Sequence, residues 1–202
     1  MAFDGVIDSS GLWPRIVLQN LHHQRRVIGE DMRARAGLAL TLLKLGEEDA
    51  AVEHFRAMLK LNPNDNQGIR YLLLACLLRR DDAEAINALL SSYADEWSAY
   101  WLYTRALIAY RNDEGADPAT LKLVQEAWSA NEHVPGILAG TTPPLISTGG
   151  YVTIGGPDEA TDYVRECGPA WKATPGAIAW LTSAVAGLPR KGQRGEACTD
   201  PA

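Results

Sequence analysis

Residues 32–65 read MRARAGLALTLLKLGEEDAAVEHFRAMLKLNPND. The stretch reads as helix, tight turn, helix, stop. Asp31 stands where a short acceptor side chain caps a helix running from Arg33 to Leu45. Leu38, Leu42 and Leu45 share one face of it, flanked by Leu40 and Leu43. Gly46 supplies the turn, because a residue without Cβ enters the left-handed region at no steric cost. Glu47, Glu48 and Asp49 open a second helix, where carboxylates meet the positive end of the backbone dipole. Ala51, Phe55, Met58 and Leu59 form its expected buried stripe, and Pro63 ends it.

Ala39, Gly46, Ala51, Phe55 and Pro63 follow the spacing of a tetratricopeptide repeat, which the hairpin resembles. That resemblance implies small residues where two helices cross closely and an aromatic one turn later. Leu42 replaces the family's aromatic in the first helix. A shift of 34 residues carries Ala51 onto Ala85, Phe55 onto Leu89, Gly46 onto Arg80 and Ala39 onto Leu73. The second copy, from Asn66 to about Asp95, keeps the apolar positions and loses the glycine. Arg79-Arg80-Asp81-Asp82 still reads as a polar turn.

A third unit is looser. Trp97 to Tyr110 reads as an aromatic-rich helix, followed by a long turn from Asn112 to Pro118. Ala119 to Ala130 is its second helix, started by Pro118 and ended between Asn131 and Pro135. The segment 136–156, with two Gly-Gly pairs and T-T-P-P, reads as a loop. A helix then runs from Asp158 to about Cys167, followed by a break or short helical turn from Pro169 to Thr174 and a last helix from Pro175 to Val185 carrying Ile178, Leu181 and Val185. Upstream, Ile16, Val17, Leu21 and Val27 or Ile28 recur at loose helical spacing before Gly29. The expected organisation is an N-terminal segment 1–30, partly disordered with one helix, and repeats over 31–135. The loop 136–156, a two-helix cap over 157–186 and a disordered tail over 187–202 complete it.

An ordered series of motifs narrows the resemblance. N-P-N-D-N-Q-G-I-R-Y-L-L-L (62–74) precedes N-E-H-V-P (131–135), Pro143-Pro144, D-E-A-T-D-Y (158–163) and W-K-A-T-P-G-A-I-A-W-L (171–181). The series resembles a family of bacterial proteins with tetratricopeptide-like repeats and no assigned activity. Its end is more distantly similar to the C-terminal part of the suppressor-of-tumorigenicity-seven family. The resemblance spans roughly Met32 to Leu181 and implies a fold and its limits. It brings no catalytic residue.

A net charge of -6 disfavours general binding to nucleic acid or to an anionic membrane. Met1 to Gly11 has neither a basic start nor an apolar core, and no apolar run reaches a membrane span. Cys76, Cys167 and Cys198 are too few and too far apart for a disulfide framework or a zinc site. A reducing, cytoplasmic setting is expected.

His22 and His23 would point about 100° apart on a helix, which suits no single metal. His54 reads as an exposed neighbour of Phe55, and His133 as a turn residue before Pro135. Cys76 reads as a small buried hydrophobe, and neither it nor Cys167 has an evident base or oxyanion site. Ser147 to Gly156 is glycine-rich but lacks the lysine of a phosphate loop. No catalytic, cofactor or metal residue is assigned.

Two features bear on binding. In stacked repeats the first helices line a groove; here they would present Arg33, Leu40, Lys44, Gln67, Arg70, Leu74 and Leu78. That mixed basic and apolar strip suits a peptide carrying some negative charge. Gly37 and Tyr71 occupy positions where the family often has asparagine, which weakens a clamp for a peptide C-terminus. The second feature is the aromatic set Trp97, Tyr100, Trp101, Tyr103 and Tyr110, with Trp97 and Trp101 on one face. Core packing accounts for it, and a binding patch is the alternative.

The reading is an all-α, tetratricopeptide-like solenoid fragment: two clear hairpins, a third looser one and a two-helix cap. Its expected role is non-enzymatic binding of a protein or peptide partner. A structural or regulatory subunit acting as a homo-oligomer is the alternative. An enzyme, or an accessory domain to one, using His133 and the 151–158 loop ranks last.

Overall fold

A computed structural model describes residues 30–145 and 152–190. These form nine helices: α1 (Glu30–Lys44), α2 (Glu48–Leu61), α3 (Ile69–Arg79), α4 (Ala83–Ser92), α5 (Ala99–Asp113), α6 (Pro118–Ala130), α7 (Val134–Leu138), α8 (Pro157–Ala173) and α9 (Ala177–Val185). The described residues are helical with turns and no strand. They belong to two compact units, one holding α1–α4 and the other α5–α9. The division falls between Ser92 and Tyr93, inside the stretch read as repeats.

In the first unit each helix packs on its neighbour in the chain. The turn after α1 is closed at Gly46, with φ +81°, as its sequence requires. Ala39, Ala51 and Phe55 are fully buried, with Val52 and Met58 beside them, while Leu59 is only half-buried. Asn62 caps α2 by donating its N–H to the Met58 carbonyl, and Pro63 follows outside the helix. The first carboxylates of α2 do more than meet the dipole. Glu48 pairs with Arg79 at 2.7 Å and Asp49 pairs with Arg80, tying the start of α2 to the end of α3. The polar turn at 80–82 forms as expected, and the Asp82 side chain accepts from the Ala85 N–H to start α4.

The start and outer face of α1 differ from the sequence reading. The helix begins at Glu30, one residue ahead of Asp31. The core side of α1 is Ala36, Ala39 and Leu40; Leu38 and Leu45 are 47% and 71% exposed. Periodicity could not choose between these sides, because α1 carries apolar residues on both.

In the second unit α5 lies between α6 and α8, and α9 contacts α6, α7 and α8. Helix α5 starts at Ala99, two residues later than its pattern implied, so Trp97 stays outside it and does not share a helical face with Trp101. Tyr100, Trp101 and Tyr103 are fully buried and Tyr110 nearly so, making this helix the core of its unit. Tyr100 meets Tyr163 edge-on at 5.4 Å and Tyr110 stacks obliquely on Trp180 at 4.7 Å. Helix α6 starts as read, with Pro118 in its first turn and the Asp117 carboxylate accepting from the Ala119 N–H.

Three further expectations need correction. The five-residue helix α7 occupies the start of the segment read as a loop, with Val134, Pro135, Ile137 and Leu138 buried. Where a break or short helical turn is expected from Pro169 to Thr174, α8 continues unbroken to Ala173 with the proline inside it. Pro169 faces solvent, while Cys167, Gly168, Ala170 and Trp171 around it are buried. Packing of those neighbours outweighs the one backbone bond that proline removes. Residues 187–190, read as part of a disordered tail, are held to the fold, since the Pro189 carbonyl accepts from Trp128 Nε1 at 3.1 Å. The N-terminal helix, His22 and His23, residues 146–151, Cys198 and the rest of the tail lie outside the described residues.

Candidate functional site

The seven residues expected to line a groove divide by burial. Arg33 and Lys44 are exposed on α1. Leu40, Gln67, Leu74 and Leu78 are buried, the last two on a helix whose residues from Tyr71 to Leu78 are all buried. A buried side chain offers nothing to a partner, so these seven do not form one open strip. The sequence offered no warning, because α3 is apolar all round and a register alone cannot say which side stays open.

Arg70 belongs to a structural lock rather than to a surface. Asp65, at φ +45°, turns its carboxylate onto the start of α3. Oδ1 accepts from the Ile69 N–H at 2.8 Å, and Oδ2 accepts from the Arg70 N–H at 2.9 Å and from its guanidinium at 3.0 Å. The guanidinium also donates to the Asp65 carbonyl and lies over the Tyr71 ring, 4.6 Å from its centroid. Burial pushes the Asp65 carboxyl up from its ordinary value; the bonds from Arg70 and Ile69 pull it back only in part. The signal for this lock was present as an aspartate just ahead of an apolar helix start.

The second unit has its own buried carboxylate. Glu159, in the first turn of α8, reaches across to the start of α5, where Oε1 accepts from the Ala99 N–H at 3.0 Å. Oε2 accepts from Asn131 Nδ2 at 3.0 Å and from the Gly155 N–H at 2.7 Å. Asn131 also donates to the Gly156 carbonyl, and its own carbonyl takes the Tyr103 hydroxyl at 2.6 Å. Glu159 is therefore the missing cap of α5, supplied from 60 residues away. Burial pushes its carboxyl up, against the pull of those donors. Its acceptor capacity is committed to backbone and amide N–H groups, which makes it a fastening rather than an acid or base. In the sequence the acidic pair Asp158-Glu159 marks only a helix start, because donors from distant parts of the chain leave no local pattern.

His133 stands in the turn between α6 and α7, where its backbone N–H donates to Asn131 Oδ1. Asp158 accepts from the Thr153 N–H, a bond that shapes the 153–159 turn. The tyrosines Tyr100, Tyr103 and Tyr163 all have hydroxyls held in the neutral form by burial. Tyr163 accepts from Trp171 Nε1 at 2.7 Å. Cys76 and Cys167 are buried thiols. Among the described residues no group of three or more His, Cys, Asp or Glu side chains is placed to hold a metal ion. Among them, too, no helix is long and apolar enough to cross a membrane.

The described surface exposes several large apolar side chains. Trp97 is 64% exposed at the entry to α5, beside Glu96, whose carboxylate accepts from the Ser98 N–H. Of the aromatic set, it alone is turned to solvent. Comparison with protein-family models, with curated proteins and with solved structures finds no match for this chain.

Proposed function

We propose that this chain is a non-enzymatic protein-interaction module of tetratricopeptide-like design, with Trp97 as an anchor for a protein or peptide partner. The observation that carries the reading is the exposure of Trp97. Tryptophan is enriched among residues that dominate binding energy, and an indole left in water is a cost that a partner removes. The repeat design is supported by the α1–α2 hairpin, where Ala39, Ala51 and Phe55 are buried at the helix crossing and Gly46 closes the turn. Stacked hairpins of this kind commonly serve as binding scaffolds. The resemblance to bacterial repeat proteins of no assigned activity fits the same reading. Arg33 and Lys44 are the exposed members of the basic strip and form a second, weaker candidate contact.

Affinity capture with wild type, Trp97→Ala and Arg33→Glu/Lys44→Glu tests it. Recovery of a stoichiometric partner by wild type and its loss with Trp97→Ala, at unchanged melting temperature, is expected. A partner set indifferent to both changes would remove this assignment. Charge reversal at Arg70 is no part of the test, since it would break the Asp65 lock and confound binding with folding. Trp97 could equally meet a second copy, which is how a homo-oligomeric subunit would use it. Sedimentation of wild type beside Trp97→Ala separates the two: dimers that dissociate in the variant favour self-assembly.

A further inference from the structure

Trp97 has a companion in Ile154, which is 43% exposed and belongs to the same compact unit. Both stand beside a backbone amide that Glu159 holds. The Ala99 N–H, two residues after Trp97, donates to Oε1 at 3.0 Å, and the Gly155 N–H, next to Ile154, donates to Oε2 at 2.7 Å. One buried carboxylate thus brings together two short stretches, far apart in the chain, that each carry an exposed apolar side chain. The backbone on both sides is fixed without help from either side chain. Glu96 accepts from the Ser98 N–H; the Gly156 N–H donates to the Thr153 carbonyl, and the Gly156 carbonyl accepts from Asn131. A partner meeting Trp97 and Ile154 therefore has no loop to order, which spares a main cost of binding.

The surroundings of the pair are negative. Asp95 is exposed two residues before Trp97. Burial, and less strongly the charge of Glu96, push the Glu159 carboxyl up, so these two carboxylates lie within one another's field. Arg105 is drawn back against the chain, donating to the Ala94 carbonyl at 2.9 Å. Between residues 93 and 190 the chain carries eleven Asp and Glu against six Lys and Arg. Such a field attracts a cation and repels an anion, and an indole face adds its own attraction for ammonium or guanidinium.

We infer that Trp97 and Ile154 form one docking surface, and that its occupant is an apolar peptide segment carrying Lys or Arg. The inference rests on the reading of Trp97 as a partner anchor. It adds Ile154 as a second anchor and gives the partner a positive charge, opposite to that suited to the strip at Arg33 and Lys44.

The test titrates the full chain into a labelled short peptide of alternating Leu and Arg, followed by fluorescence anisotropy. Alternating Leu–Glu and Ser–Arg peptides of the same length are the controls. The Leu–Arg peptide should bind, and both controls should bind at least about tenfold more weakly. Trp97→Ala and Ile154→Ser should each weaken the Leu–Arg complex about tenfold at unchanged melting temperature, since both side chains are exposed. Loss with Trp97→Ala but full binding by Ile154→Ser would overturn the joint surface and leave the Trp97 anchor standing. Binding indifferent to both changes would overturn the inference and count against the anchor too. Equal binding of the Ser–Arg peptide would reduce the effect to overall charge, and equal binding of the Leu–Glu peptide would remove the cation; either overturns it. So would a wild type that binds none of the peptides, whatever partner Trp97 captures. Dimers that dissociate in both variants, with no peptide bound, would assign the surface to a second copy and overturn it as well.

Discussion

The Asp65 carboxylate accepts three hydrogen bonds. It satisfies the first two amides of α3 and pairs with Arg70 while fully buried. Removing one member of such a pair leaves the other charge uncompensated and the helix start uncapped. Asp65→Ala should therefore cost about 2–4 kcal/mol, read as a lower urea midpoint. Asp65→Asn should recover only part of this, because its amide group would face two donors where Oδ2 now accepts. An alanine variant within experimental error of wild type would show that the lock contributes nothing net. A steric counterpart lies in the second unit. At Gly115, with φ +77°, a Cβ would stand 2.0 Å from Trp180 Nε1. Gly115→Ala meets both a left-handed backbone and that indole, so a loss of about 1–3 kcal/mol is expected in the same urea experiment. Both positions announced a turn in the sequence. Gly115 did not announce Trp180, because a contact between residues far apart in the chain leaves no trace in local spacing.

Hairpin α1–α2 was the most legible element, and the reason is local. Its turn glycine, its acidic helix start, its Asn-Pro stop and its small residues at the crossing all act within a few residues of one another. Ala51 is fully buried there, whereas its counterpart in the second copy, Ala85, is half-buried. The two hairpins thus cross differently despite their matched spacing. Ala51→Trp should lose a few kcal/mol by overpacking, and Ala85→Trp distinctly less. Equal losses in thermal melts would mean that the crossings are equivalent after all. Less legible were elements whose fate is decided by what covers them. Trp97 carries the same chemistry as Trp101, yet one is exposed and the other fully buried, because α5 begins between them. Pro169 reads as a breaker, yet the buried neighbours of α8 hold the helix through it. The candidate groove failed for the same reason: the apolar face of α3 was visible, but not its cover.

The molecule's response to pH joins two carboxylates, one in each unit. Burial raises Asp65 from its ordinary 3.8 and Glu159 from its ordinary 4.5, so the folded chain holds these protons more tightly than the unfolded chain does. Stability then falls as pH rises through the folded values, and what these groups contribute is fully present only below their ordinary values. Asp113 works the other way. The Thr120 hydroxyl, 2.7 Å from its carboxylate, holds it below its ordinary 3.8, so its contribution is lost only as pH falls through that lower value. The windows do not overlap. From neutral pH towards the ordinary carboxylate values, Asp65 and Glu159 should raise the urea midpoint; below them, Asp113 should begin to lower it. Glu159→Gln removes one of the two rising contributions. It also sets an amide group against the N–H donors of Asn131 and Gly155, so the variant should be less stable throughout and flatter in its rise. A wild-type midpoint that falls steadily on acidification, with Glu159→Gln running parallel to it, would mean that the donors around Glu159 prevail over its burial. The carboxylate would then be an ordinary acid-labile fastening of α5.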